Sequence, residues 1–450
     1  MEHTREQSRS AGEGAQVRWR ITHAHLRAVV LAGLGPLAGL LLGRPDLLVI
    51  IAPLALIAAV SAAGRPTGSP RARFNAGAAT LTEGAEHTAA VDMTGLQGAE
   101  TASATLASTP WIARRPLHGA RTVRADSRPE AGEGTRPLRL SLGASPTRWG
   151  RRTIGPVRAA AASAWGAHVW GPVTLPDRQR LVLPAGGAFD TSAAAPHPRG
   201  LVGQHRSARP GEGSEFSSLR AFQWGDRLKR IHWPRSTRSS QLHVTATYAD
   251  QDTHVALILD AQAELGIPDG VGAGASSLDH AVRAGAAIAE HFTRQGDRVS
   301  LHTVSGAQTR RLPAGTGRRH AGRILQLLAQ TESAAEHRVD PERMRLLLPP
   351  GTLVVMLSPL VSAGMLTRAA MLARRGLSVI AVDVLTEDVQ AAEEPDPVAE
   401  AAWRIRLLER EDELIQLQRH GVAVVPWRGP GSLDAVLRQM ARRGRPGVQR

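Results

Sequence analysis

Two uncharged apolar runs near the N-terminus dominate the pattern of hydrophobic and polar positions. Ala28–Gly43 and Leu47–Gly64 are separated only by Arg44-Pro45-Asp46. At 1.5 Å per residue they predict helices of roughly 24 and 27 Å. Each falls slightly short of the ~20 residues that cross a bilayer comfortably, and Arg27 can lengthen the first by snorkelling. The pair reads as a transmembrane helical hairpin over residues 27–64, preceded by a basic tail over 1–26. The second run directly behind the first, and the lack of a small-x-small cleavage site, argue against a signal peptide. A buried soluble hairpin is the alternative. Arg18, Arg20 and Arg27 precede the runs, and Arg65, Arg71 and Arg73 follow them. The positive-inside rule then predicts a two-pass protein of the cell membrane, with the N-terminus and the C-terminal soluble domains cytoplasmic.

Beyond the apolar runs the period changes twice. Residues 65–200 are rich in Thr, Gly, Ala and Pro and carry short alternating stretches at Thr80–Thr82, Ala89–Met93 and Leu138–Leu142. They predict a small β-sandwich, ending in a Gly/Ala/Pro/His-rich linker over Gly186–Pro210. Residues 251–450 alternate strands with helices. His254–Asp260, Arg298–Val304, Leu353–Ser358, Leu377–Leu385 and Val422–Trp427 read as strands. Helices are predicted at Leu278–Gln295, Arg319–Gln330, Met365–Arg375, Val398–His420 and Leu433–Arg443. The expected fold class is α/β: the helical hairpin, the sandwich, then a doubly wound, mostly parallel sheet.

Composition narrows the chemistry. The 450 residues hold 55 Lys and Arg against 40 Asp and Glu, a net charge of +15 that is almost entirely arginine. The charge is dispersed along the chain, and an Arg-for-Lys bias with abundant Ala and Gly is what a GC-rich genome gives. Charge alone is therefore a poor argument for nucleic acid. The absence of cysteine excludes disulfides and thiolate metal sites. No G-x-x-x-x-G-K-[ST], H-E-x-x-H or G-x-S-x-G motif occurs. Gly270-Val-Gly272-Ala-Gly274 imitates a dinucleotide fingerprint, but its strand ends ten residues too early and Pro268-Asp269 intervenes.

The densest stretch is Gly211–Val244, GEGSEFSSLRAFQWGDRLKRIHWPRSTRSSQLHV, which holds the only lysine, Lys229. Gly225-Asp226 is a turn signal, Pro234 is expected to end any helical turn at Trp233, and Gln241–Thr247 alternates like a strand. The segment, bounded at 201–250, resembles the signature of the domain of unknown function 58 family (DUF 58). The matching residues are Glu215, Phe216, Leu219, Arg220, Phe222, Gly225, Asp226, Arg230, Ile231, Trp233, Ser236 and Arg238. His232 and Thr237 depart from it, standing where the family usually has an acid and an alanine. Upstream, Arg148–Pro156 resembles the family's R-R-G-x-x-x-L-G-P turn. The apolar signature residues are too many to leave exposed in one stretch, so Trp233 is expected in a core. Arg220, Arg230 and Arg238 are the candidates for fixed ion pairs, with Glu215 or Asp226.

The resemblance implies that residues 251–450 form a von Willebrand factor A-like domain. Such a domain often binds Mg²⁺ through D-x-S-x-S, a loop Thr and a later Asp. Here Asp260 stands at the first position, Gln262 and Glu264 replace the serines, Thr316 fits the loop Thr, and Ser358-Pro359 lacks the acid. The set Asp260, Glu264 and Thr316 is a degenerate metal site, so no cofactor is expected. The resemblance also implies a MoxR-type AAA+ ATPase as partner. The expected function is a non-enzymatic, membrane-anchored scaffold binding other proteins. A Mg-dependent enzyme using Asp260, Glu264 and Thr316 is the alternative, and nucleic-acid binding by the arginine-rich signature a third.

Overall fold

The computed structural model describes residues 17–125, 137–186, 210–248, 254–268, 275–305, 308–333, 346–386, 389, 397–429 and 431. The Gly270–Gly274 run, the helix expected at Leu433–Arg443 and nearly all of the linker lie outside these residues. The chain divides into two compact units. The first takes Met1–Thr147 and Arg151–Val182, and the second takes Arg148–Gly150 and Leu183–Arg450.

In the first unit, strand β1 (Arg20–Ile21) leads into helices α1 (His23–Leu41) and α2 (Asp46–Ala63). Thr22 caps α1, its Oγ1 accepting from His25 N at 3.2 Å. A Cβ at Gly35 would collide with the Ile51 side chain, so the two helices approach closely where the residue is small. Ser61 Oγ lies 3.1 Å from His25 Nδ1. With 19 residues, α1 is the one described helix long and apolar enough to cross a membrane; α2 is apolar but shorter. Of the two spans expected, one meets that criterion.

The strands that follow are β2 (Arg71–Asn75), β3 (Thr80–Thr82), β4 (His87–Thr94), β5 (Ala99–Leu106), β6 (Ile112–Arg115) and β7 (Arg121–Arg124). Next come β8 (Leu138–Pro146), β9 (Gly150–Ile154), β10 (Val157–Ser163), β11 (His168–Leu175) and β12 (Arg178–Leu183). They form sheets ordered β1-β11-β10-β5-β7, β2-β4-β8-β6 and β3-β12-β9. The first two share one core. Val91, Met93, Leu140 and Leu142 of one sheet meet Ala102, Ala104, Ala159 and Trp170 of the other. The alternation read at Leu138–Leu142 arises here, because β8 buries every second residue.

The second unit opens with β13 (Pro210–Ala221), paired antiparallel to β14 (His243–Tyr248). Between them lie a 3₁₀ turn at Leu228–Arg230 and the short helix α3 (Trp233–Ser236). Pro234 thus does not end a helical turn at Trp233. The new turn starts there, with His232 as its cap and the proline in the first turn, where its missing N–H costs nothing.

A six-stranded sheet is the core of this unit. In chain order its elements are β15 (His254–Asp260), α4 (Ser277–Arg294), β16 (Arg298–Ser305), β17 (Gln308–Gly315), α5 (Gly317–Ala329), β18 (Leu353–Ser358), α6 (Ala363–Arg374), β19 (Ser378–Asp383), α7 (Pro397–Arg419) and β20 (Ala423–Pro426). The strand order is β17-β16-β15-β18-β19-β20. All neighbours are parallel except the edge pair β16–β17. Both faces are covered. Leu257 and Leu259 join the core beneath α4, with Ile288 and Phe292, while Ile258 joins the opposite one, with Met356 and Leu366. That is why HVALILD reads as a continuous apolar run rather than an alternating one. A capping box starts α4. Ser276 Oγ accepts from Asp279 N at 3.1 Å, and Asp279 Oδ2 accepts from Ser276 N at 3.4 Å.

Candidate functional site

In an open sheet of this order the crevice at the carboxyl ends of the strands, where the order reverses, is the usual ligand position. Here the reversal falls between β15 and β18, which leave the sheet at Asp260 and Ser358. Both side chains are buried. Ser358 Oγ donates to Asp260 Oδ2 at 2.6 Å, and Gln262 N donates to Oδ1 at 3.2 Å. Burial pushes the Asp260 carboxyl above its ordinary range, with those two hydrogen bonds acting in the other direction. Leu360 then turns the chain with φ of +53°, a left-handed conformation uncommon for a branched residue.

Among the described residues, Glu264, Asp279 and Asp383 at this edge are held by arginines. Arg148, which packs with the second unit, donates through Nη2 to Glu264 Oε1 at 2.5 Å and through Nε to Asp279 Oδ1 at 2.8 Å. Its side chain is 11% exposed and that of Asp279 0%. Ser276 Oγ donates to the same Glu264 oxygen at 2.6 Å. On the other side of the reversal, Arg410 meets Asp383 at 2.5 Å and donates through Nε to Pro359 O at 3.0 Å. One turn earlier on α7, Arg406 Nη2 donates to Val361 O at 2.6 Å and to Glu413 at 2.7 Å. Burial raises the Asp383 carboxyl, and Arg410 opposes that shift.

The expected metal trio does not assemble. Thr316 follows β17, and because β17 runs antiparallel to β16 its end returns to the start of the sheet. Gly315 pairs with Val299, whereas Asp260 pairs with Val304. Five strand residues at ~3.3 Å separate the two levels by roughly 16 Å. Glu264 is engaged by Arg148 and Ser276, and both Asp260 oxygens accept hydrogen bonds. A hard divalent ion needs six or so converging oxygens, and these residues do not fit one. Among the described residues no group of three His, Asp or Glu side chains is placed to hold an ion. Sequence reading does not single out Arg148, Asp279, Ser358, Asp383 or Arg410 as site residues. The Ser276-x-x-Asp279 spacing is a legible cap, but sequence separations of 116 and 131 residues hide the partners of Arg148.

A pH dependence follows for Asp260. Its folded carboxyl titrates above the unfolded value, so its contribution is fully present below the unfolded pKa of about 3.9 and is lost as pH rises through the folded one. Asp260→Asn keeps an acceptor for Ser358 without the charge. It is expected to match the parent in acid and to exceed it in melting temperature at neutral pH. A variant that is less stable than the parent at neutral pH but equal to it in acid would show that the ionised carboxylate is the species the fold needs.

The signature residues fall into two groups. Arg220 and Asp226 form a bidentate pair at 2.7 and 2.6 Å, and Asp226 Oδ2 also accepts from Gln223 N at 2.8 Å. The pair holds the Asp226 carboxyl below its usual range. Gly225 has φ of +104°, as the turn requires. Ile231 is buried and bridges Val244, while Ser236, also buried, accepts from His243 N at 2.9 Å. Trp233 is 61% exposed, which corrects the expectation that it sits in a core. Arg238 is exposed and Arg230 half-buried. Leu219 is exposed, Phe222 is half-buried, and the side chains of Glu215 and Phe216 lie outside the described set.

Comparison with known proteins agrees with the resemblance. Uncharacterized proteins of Mycobacterium bovis and Mycobacterium tuberculosis are 31% identical to this chain over 134 residues, covering 30% of it and 41% of their own length. The chain thus spans about two-fifths of the relatives it matches. The segment from the end of β13 through β19 carries the family assignment: residues 218–396 match the family described as "Protein of unknown function DUF58".

Proposed function

We propose that the chain is a non-enzymatic scaffold, anchored in a membrane by its N-terminal apolar helices. Its von Willebrand A-like α/β unit binds other proteins and works with a MoxR-type AAA+ ATPase. The observation that carries this reading is the state of the acids at the ligand edge of the sheet. Glu264 and Asp279 are tied to Arg148, and Asp383 is tied to Arg410. Acids satisfied internally in this way offer a fixed shape to a macromolecular partner. A Mg-dependent enzyme built on Asp260, Glu264 and Thr316 would need Thr316 brought across the whole sheet. The anchoring is supported by the outward-facing apolar residues of α1 and α2, among them Leu34, Leu40, Leu41, Val49, Ile50 and Leu56.

The test is capture of the purified ATPase by the full chain in vesicles, with and without ATP. Retention of the ATPase is the expected result. No retention under either condition, together with a Mg²⁺-dependent turnover abolished by Asp260→Ala, would replace the scaffold with an enzyme. Topology is tested separately. Protease added to intact cells is expected to spare Phe74–Arg450, and digestion of that region without lysis would reverse the orientation.

A further inference from the structure

Residues 219–242 form a closed loop with an unusual surface. Its neck is fastened by Phe222 N donating to Leu242 O at 2.8 Å, by His232 N donating to His243 O at 2.8 Å, and by the Ile231–Val244 bridge. Ile231 fills the small interior, while both tryptophans and Leu228 point outward. Trp224 is fully exposed, Leu228 is 70% exposed and Trp233 is 61% exposed. The same loop holds six cations (Arg220, Arg227, Lys229, Arg230, Arg235 and Arg238) against one acid, Asp226, a net +5. That acid is consumed locally by Arg220 and Gln223 N.

Exposed indole and leucine side chains cost free energy in water, and they are retained where something covers them. Indole rings interleaved with basic residues suit the headgroup layer of an anionic membrane. The ring is apolar with one polar edge, and each cation near the surface adds electrostatic attraction to the anionic headgroups. An acidic protein would satisfy the charge as well. The lipid is favoured because the chain carries, in α1, a helix long and apolar enough to hold it at a bilayer. We propose that the 219–242 loop docks on an anionic lipid surface, with Trp224, Leu228 and Trp233 entering the headgroup layer and Lys229, Arg235 and Arg238 meeting lipid phosphates. The inference rests on the membrane anchoring proposed above and adds a second, electrostatic contact to it.

The chain has no cysteine, so Leu228→Cys gives a single site for a spin label on the full chain. The labelled protein is placed in nanodiscs of phosphatidylcholine alone or mixed with phosphatidylglycerol. Collision with oxygen is compared with collision with a water-soluble nickel chelate. In the anionic discs the oxygen-to-nickel ratio is expected to rise several-fold. In phosphatidylcholine, or with Lys229→Glu, Arg235→Glu and Arg238→Glu combined, it is expected to stay at the aqueous value. A label that remains aqueous in both discs overturns the proposal. So does one shielded equally in both, which means packing within the protein, or one shielded only when the ATPase is added, which makes the loop a protein-binding surface. A chain that enters neither disc sinks the anchoring instead. The same labelled chain mixed with preformed anionic vesicles then tests the loop by itself, and an aqueous label there overturns the docking.

Discussion

Arg148→Ala is expected to cost the α/β unit about 3–5 kcal/mol, because it leaves two acids at the sheet edge without their shared cation. Asp279 is fully buried and Glu264 is four-fifths buried, so water cannot replace the guanidinium freely. Arg148→Lys is expected to recover only part of the loss. An ammonium cannot reach both carboxylates with the planar fork that places Nε on Asp279 and Nη2 on Glu264. The measurement is chemical denaturation of the detergent-solubilised full chain, and Arg148→Ala combined with Asp279→Asn and Glu264→Gln is the control. If charge stranding is the cause, the triple variant regains stability over the single one. A loss below about 1 kcal/mol for Arg148→Ala would mean that the acids are solvated and the clamp is ornamental.

Two tryptophans are expected to give opposite results in the same assay. Trp149 is buried in the core of the six-stranded sheet, beside residues from β15 and α4. Trp149→Ala empties a large side chain from that core and is expected to cost about 3–5 kcal/mol. Trp233 stands in the signature, and its exposed ring predicts a change within about 0.5 kcal/mol for Trp233→Ala. Equal losses for the two would restore the expectation that Trp233 is part of a core. A neutral Trp149→Ala would mean that Arg148–Gly150 do not belong with the α/β core.

The contrast marks where sequence reasoning holds and where it fails. HVALILD announces β15 because a strand covered on both faces must be apolar throughout, and the helix read at Leu278–Gln295 matches α4 closely. Asp260 at the strand end is legible for the same reason. β17 is not. Its sequence, QTRRLPAG, has two arginines and a proline, which an edge strand tolerates and a pattern search reads as loop. Missing it misplaced Thr316, since one extra antiparallel strand moves the following residue to the far end of the sheet. The signature failed differently. Counting apolar residues predicts that something covers them, but does not say whether the cover is the same molecule. Arg148 was invisible as a partner because nothing local distinguishes it from its neighbours Arg151 and Arg152.

Arg406 and Arg410 lie one turn apart on α7, and together they hold Val361, Pro359 and Asp383. The helix therefore works as a single crossbar over the ends of β18 and β19. Sliding it along its own axis by even one side-chain spacing would let go of both strand ends in the same movement. The 23 residues of α7 are thus fastened to the sheet edge at two points, with the exposed Leu408 between the two arginines on the outer side of the bar.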